Sequence, residues 1–248
     1  MNVPVDGMKI LGEEGGAFVR RLSWAKLNEL SSQFGESFYV LDDRKFEKNF
    51  CDLQLAFRTR YEASFIGYSY KTNYTPYLCR LIDGLGGYAE VVSEMEYELA
   101  ERVGVEQRRI ILNGPMKSES CMARALQGGA LVNLDSLRDL NILKGVAESC
   151  PDARFEVALR CNFPIRSQFV SRFGFDIEGD AFKFALATIE KAQNIELVGL
   201  HCHFPDRDLD SYRKRAARML ELSDLIFRDT PLSTSILVAA ISVQCLTR

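Results

Sequence analysis

"ASFIGYSYKTNYTPYLCRLIDGLGGYAEVVS", residues 63–93, contains one complete strand–helix–strand repeat. Residues 63–71 form an apolar and aromatic run, the pattern of a buried strand, and the run ends on Lys71. Residues 75–86 read as a helix with Pro near its start and Gly at its end. "YAEVVS" (88–93) is the second strand. An ammonium at the end of a buried strand invites two explanations. It can reach water along its own stem, or it can be held for chemistry, because burying it unpaired is costly.

The same alternation continues downstream. Strands are predicted at 109–114, 130–136, 155–163 and 195–204, with helices at 94–104, 118–129, 137–149, 180–194 and 209–227. Ser93 and Glu96 form the S-x-x-E of a capping box. Upstream, "GAFVRRLSW" (16–24) and "SFYVLD" (37–42) are strand-like. "AKLNELSSQFG" (25–35) and residues 43–61 have helical periodicity. Six strand–helix units with strands apolar along most of their length predict an α/β fold with a parallel sheet. No Gly-x-Gly-x-x-Gly follows the first strand, so a (β/α)8 barrel is preferred to a dinucleotide-binding sheet.

Lys71, Ser93, Asn113, Asp135, Arg160 and His203 each stand at or near the C-terminal end of a successive strand. In a barrel those ends share one rim, where active sites are built. Ser93 and Asp135 also suit helix caps. A lysine in a barrel mouth suits imine formation with an aldehyde once desolvation and nearby cations lower its pKa; composition does not choose between a sugar and pyridoxal phosphate. His201 and His203, the only histidines, lie two apart and share a strand face. A packing or stacking role suits them better than a metal, since no third histidine completes a zinc site.

The segments "FIGYSYKTNY" (65–74), "GYAEVVSEMEYELA" (87–100), "RIILNGPMKSE" (109–119), "LVNLDSLRDL" (131–140), "VALRCNF" (157–163), "RFGFD" (172–176) and "GLHCHF" (199–204) resemble, in order, those of fold-type III pyridoxal-phosphate decarboxylases. That family includes diaminopimelate, ornithine and arginine decarboxylases and shares its barrel with alanine racemase. "SSQFGESFYVLD" (31–42) resembles its entry into the barrel. The resemblance implies a (β/α)8 TIM barrel and pyridoxal 5'-phosphate as cofactor, linked as an imine to Lys71. His203 would lie against the pyridine ring face and Arg160 near O3′. Glu90 stands where the family usually has Asp, and Asn113, with Arg172, would line the same rim. The reaction implied is decarboxylation of a basic or diamino amino acid, with meso-diaminopimelate favoured, and full-length relatives would be homodimers. The alternatives are a single-domain pyridoxal-phosphate carrier without decarboxylase activity and a metal-dependent barrel hydrolase.

The chain also departs from the family pattern. After His203 the family usually reads H-x-G-S and the chain reads "HFPDRD" (203–208), which places Pro205 and Asp206 near a dianion. No glycine follows Gly199, so the expected glycine-rich phosphate loop is missing. The expected organisation is residues 1–35 belonging to a β-barrel domain, 36–230 a partial barrel of about six βα units, and 231–248 an aberrant tail, with the C-terminal β-barrel domain missing. A frameshift near Pro231 or Ser233 and a genuine short ending both explain that tail, and the gene's nucleotide sequence decides between them. "SILVAAISV" (235–243) is uncharged and β-prone, so poor solubility and weak or absent activity are expected.

Composition excludes other classes. The 248 residues are 47% hydrophobic and 26% charged, with a net charge of −3, which fits a globular protein and disfavours nucleic acid as a partner. The longest apolar run, Ile236 to Ile241, is far short of the roughly 18 residues a membrane span needs. Seven scattered cysteines without a C-x-x-C pair and no predicted export signal suggest reduced thiols in the cytoplasm.

Overall fold

The computed structural model of the chain describes residues 22–165, 171–206, 208–228 and 236–239. These divide into two compact units between Ser64 and Phe65. In the first unit, α1 (Trp24–Phe34) begins where the Ser23 hydroxyl accepts the Lys26 amide, at 3.2 Å. α2 (Asp43–Arg58) is capped in the same way by the Asp42 carboxylate, 3.0 Å from the Lys45 amide. Such side chains satisfy amides that a helix start leaves without partners. The strand expected at 37–42 does not form: residues 37–41 have no regular structure and Asp42 is the cap. Most of "GAFVRRLSW" lies outside the described residues, and its last two, Ser23 and Trp24, cap and open α1.

The second unit alternates as the sequence predicts, with shorter strands. Its order is β1 (Gly67–Ser69), α3 (Pro76–Gly84), β2 (Tyr88–Val91), α4 (Glu94–Val103), β3 (Ile110–Leu112), α5 (Glu119–Gly128), β4 (Leu131–Leu134) and α6 (Leu137–Ser149). Then come β5 (Phe155–Asn162), β6 (Phe175–Asp176), α7 (Asp180–Lys191), β7 (Ile195–Cys202), α8 (Leu209–Ile226) and β8 (Ile236–Ala239). All pairs are parallel, in the order β1-β2-β3-β4-β5-β7-β8, with β6 beside β5. Two strands depart from the predicted pattern. β6 is only two residues long, within "RFGFD", and β8 comes from the uncharged tail and pairs with the edge of β7.

The sheet separates two apolar regions. Between strands and helices lies the larger core, including Val91, Leu112, Val132, Leu134, Phe155, Leu159 and Leu200. On the opposite face Ile111, Leu131, Ala158 and Val198 pack with Phe65 and Tyr88, whose rings stack 4.0 Å apart. This is the inner plug expected of a barrel. One irregularity re-aims the end of β7. Val157 pairs with Leu197 but Ala158 pairs with Gly199, so Val198 is an extra residue in β7. A bulge of one residue shifts the side-chain alternation. Beyond it His201 pairs with Arg160 and shares its inward face, while Leu200 and Cys202 join the outer core.

Candidate active site

Above the apolar plug, the inward side chains become polar. Ser69 follows Gly67 on β1, Glu90 follows Tyr88 on β2, Asn113, just past the end of β3, follows Ile111, and Asn133 follows Leu131 on β4. Arg160 follows Ala158 on β5, and His201 closes the series on β7. All six are buried. The period-two alternation of each strand carries the change from oil to polar at one level of the barrel.

These side chains are joined to one another. Asn113 Nδ2 donates to Glu90 Oε1 at 2.7 Å, and Asn133 Nδ2 donates to Asn113 Oδ1. Glu90 is thus held from the side by a relay that begins two strands away. Arg160 makes an ion pair with Asp135 just beyond β4, and the second Asp135 oxygen accepts the Gly174 amide at 3.0 Å. Gly174 has φ +83°, and a Cβ there would lie 2.8 Å from the Arg160 carbonyl oxygen, so the approach requires glycine. Asp135 therefore does not cap α6, as expected from its position. The N-cap is Ser136, and the Asp135 carboxylate is committed to Arg160 and Gly174. Ser93 does cap α4, accepting the Glu96 amide at 3.3 Å, whereas the Glu96 carboxylate reaches back to the Val92 amide at 2.8 Å.

Lys71 stands two residues beyond Ser69 and is exposed at the strand end, so the desolvation expected for it is not supplied by this arrangement. Its charge nevertheless acts on both histidines. Burial, then the Lys71 and Arg160 cations, press the His203 imidazole down to about 4. Glu90 opposes that shift, which sets Lys71, Arg160, Glu90 and His203 as electrostatic neighbours. His201 is driven well below the ordinary histidine value by burial first, then by Arg160, His203, Lys117 and Lys71. It is neutral, 2% exposed, and neither ring nitrogen has a hydrogen-bond partner among the described residues. Asn133 Oδ1 and Ser69 Oγ are similarly unsatisfied. Arg172 is exposed and, like Arg160, lies over the Phe173 ring, each guanidinium 5.2 Å from the ring centre.

Sequence reading missed one member of this set and a buried ion pair beside it. Asn133 was hidden inside "LVNL", although its period-two relation to Leu131 places it on the inner face. Lys117, on the loop after β3, pairs with Asp139 at 2.7 Å with neither side chain exposed. Burial lowers the Lys117 pKa despite that carboxylate.

The donor set fits the ring and aldehyde of pyridoxal phosphate. A lysine amine, a flat imidazole face, a buried guanidinium and a held carboxylate are electrostatic neighbours, and Ser69 Oγ, Asn133 Oδ1 and both His201 ring nitrogens lack partners among the described residues. At the phosphate end, Pro205 is exposed and the Asp206 carbonyl is occupied by Arg215, whose buried guanidinium lies over the Phe204 and Tyr212 rings at 5.7 and 4.3 Å. Residues 229–235, where the family loop was expected, lie outside the described residues.

Comparison with known proteins agrees with this chemistry. Residues 45–225 match the family described as pyridoxal-dependent decarboxylase, pyridoxal binding domain. Diaminopimelate decarboxylase of Aquifex aeolicus is 28% identical over 221 residues, covering 84% of the chain and 50% of the relative. A probable chloroplastic diaminopimelate decarboxylase of Oryza sativa is 31% identical over 204 residues, 76% of the chain and 40% of the relative. The crystal structure of Methanocaldococcus jannaschii diaminopimelate decarboxylase shares the fold with a TM-score of 0.72 at 23% identity, over 82% of the chain and 50% of that structure. The Helicobacter pylori enzyme complexed with L-lysine does so with a TM-score of 0.70 at 22% identity, over 85% and 54%. The chain spans about half the length of the relatives it matches. The strands and helices of the second unit are therefore the family's (β/α) barrel, and its cofactor is pyridoxal phosphate. The chain belongs to the pyridoxal-dependent decarboxylases, whose pyridoxal-binding domain it carries.

Proposed function

We propose that the chain binds pyridoxal phosphate through the Lys71 amine and serves decarboxylation of a diamino acid, with meso-diaminopimelate as substrate. The observation that carries this reading is the convergence of Lys71, Arg160, Glu90 and His203, four strands' worth of side chains, on one electrostatic neighbourhood at the C-terminal rim. When bound, the cofactor supplies an electron sink for the pair released as the substrate carboxylate leaves as CO₂. The remaining work belongs to the chain. Lys71 offers the amine at the mouth, where it is exposed to an incoming aldehyde. His203 stays neutral near pH 7 and presents a flat face without adding charge beside a cationic ring. Arg160, steadied by Asp135, offers its remaining N–H groups. Glu90 keeps one carboxylate direction because Asn113 holds it.

The diaminopimelate assignment is supported by the relatives' names and by the H. pylori diaminopimelate decarboxylase structure complexed with L-lysine. Release of CO₂ from meso-diaminopimelate, ornithine, lysine and arginine, by the purified chain and by Lys71→Ala, tests the proposal. Whatever turnover the chain shows is expected to be weak, to favour meso-diaminopimelate and to be lost in Lys71→Ala. Preference for another of the four amino acids overturns the substrate, and cofactor-independent turnover overturns the mechanism.

A further inference from the structure

Lys117 and Asp139 form a wholly enclosed ion pair that lies outside the set of residues facing the cofactor. Such a pair gains little over well-packed apolar side chains, because desolvation offsets its attraction. Its geometry points to a use other than stability. Asp139 is in the first turn of α6, and its Oδ2 accepts two hydrogen bonds, from Lys117 Nζ at 2.7 Å and from the Asp135 amide at 2.9 Å. Lys117 Nζ also donates to the Gly114 carbonyl at 2.6 Å, and Arg138 Nη1 donates to the Lys117 carbonyl at 2.7 Å. Gly114, at φ +97°, is pressed so near Val92 that a Cβ would stand 2.6 Å from its carbonyl oxygen. The loop after β3 is thereby stapled to the start of α6, and that start grips the backbone of the residue that holds Arg160.

We propose that Lys117 and Asp139 are positioning residues that fix the Arg160 guanidinium for the cofactor, acting through Asp135. The inference rests on the reading of Arg160 and Lys71 as cofactor-binding residues. Glu96 makes the equivalent reach to Val92 at the start of α4. The fourth unit adds the lysine, and it is the unit whose preceding residue is ion-paired into the site.

The test uses the full chain and two double variants, K117M/D139L and K117M/D139N. Both remove the ion pair, but only the second keeps an oxygen for the Asp135 amide. With two histidines in the chain, the His203 ring proton can be assigned by NMR and titrated without cofactor. The charges that bear most on His203 are Lys71, Arg160, Glu90 and Arg215, so its titration reports where Arg160 lies. The dissociation constant for pyridoxal phosphate, from its absorbance, is the second readout. In K117M/D139L the His203 midpoint should rise from about 4 towards the ordinary histidine value, and cofactor binding should weaken by about tenfold or more. In K117M/D139N, which loses the lysine's bonds but keeps an oxygen for the Asp135 amide, both should move in the same direction by less. Should K117M/D139L fail to fold, K117M/D139S replaces it, since a serine hydroxyl is too short to reach that amide.

An unmoved His203 titration in the latch-breaking variant overturns the proposal, whatever the cofactor does. A parent chain that does not bind pyridoxal phosphate, while His203 still responds, sinks the cofactor reading and leaves the positioning intact.

Discussion

His203 is the residue on which environment acts most legibly. An unfolded histidine takes up a proton near its ordinary value of 6.5, whereas the folded ring declines one until about 4. Between those limits the unfolded chain binds more protons, so acidification favours unfolding. The stabilisation is therefore complete above about pH 6.5, falls through the window and is lost below pH 4. One group with this displacement contributes on the order of 3 kcal/mol. Urea unfolding of the cofactor-free chain at pH 7, 5.5 and 4 should show that decline, and His203→Gln should flatten part of it. A His203→Gln chain with an unchanged pH slope would place the sensitivity elsewhere. The sequence could indicate that His203 stands at a strand end. The barrel pattern put Lys71 and Arg160 on the same rim, but not how strongly their charges act on His203, because that depends on how strands far apart in the chain pair and register.

At the scale of elements, two small irregularities aim the site. The Val198 bulge gives β7 an outer-core Leu200 and Cys202 together with an inward His201 beside Arg160. β6 is the second. Its two residues would not register as a strand in any pattern of alternation, yet they follow Gly174, whose amide holds Asp135. Gly174→Ala forces a side chain into the left-handed region and against the Arg160 carbonyl. Its cost should be about 2 kcal/mol or more in thermal or urea unfolding, with weaker cofactor binding. An alanine variant of parent stability would show that this backbone relaxes freely. Regular elements were readable because apolar runs and caps are local signals. "SFYVLD" misled for the same reason: its side chains suit a strand, but a strand also needs a neighbour, and Asp42 instead begins a helix. Asp135 misled differently. Its N-cap spacing is local, while its actual partners lie 25 and 39 residues away.

For the molecule as a whole, the sheet runs without interruption from β1 to β8, and the polar layer occupies one level of its inner face. That separation lets the fold keep an apolar plug below and a reactive mouth above, so the chemistry adds little strain to the core. Among the described residues no helix is long and apolar enough to cross a membrane. The stretch that matches the family model includes Lys71, both histidines and Arg160, within about half the length of the relatives. The central claim is covalent, and trapping tests it most directly. The chain is mixed with pyridoxal phosphate, reduced with borohydride, digested and mapped by mass spectrometry. A phosphopyridoxyl group on the peptide containing Lys71, absent from Lys71→Ala, is the predicted result; the same group confined to other lysines would contradict the account.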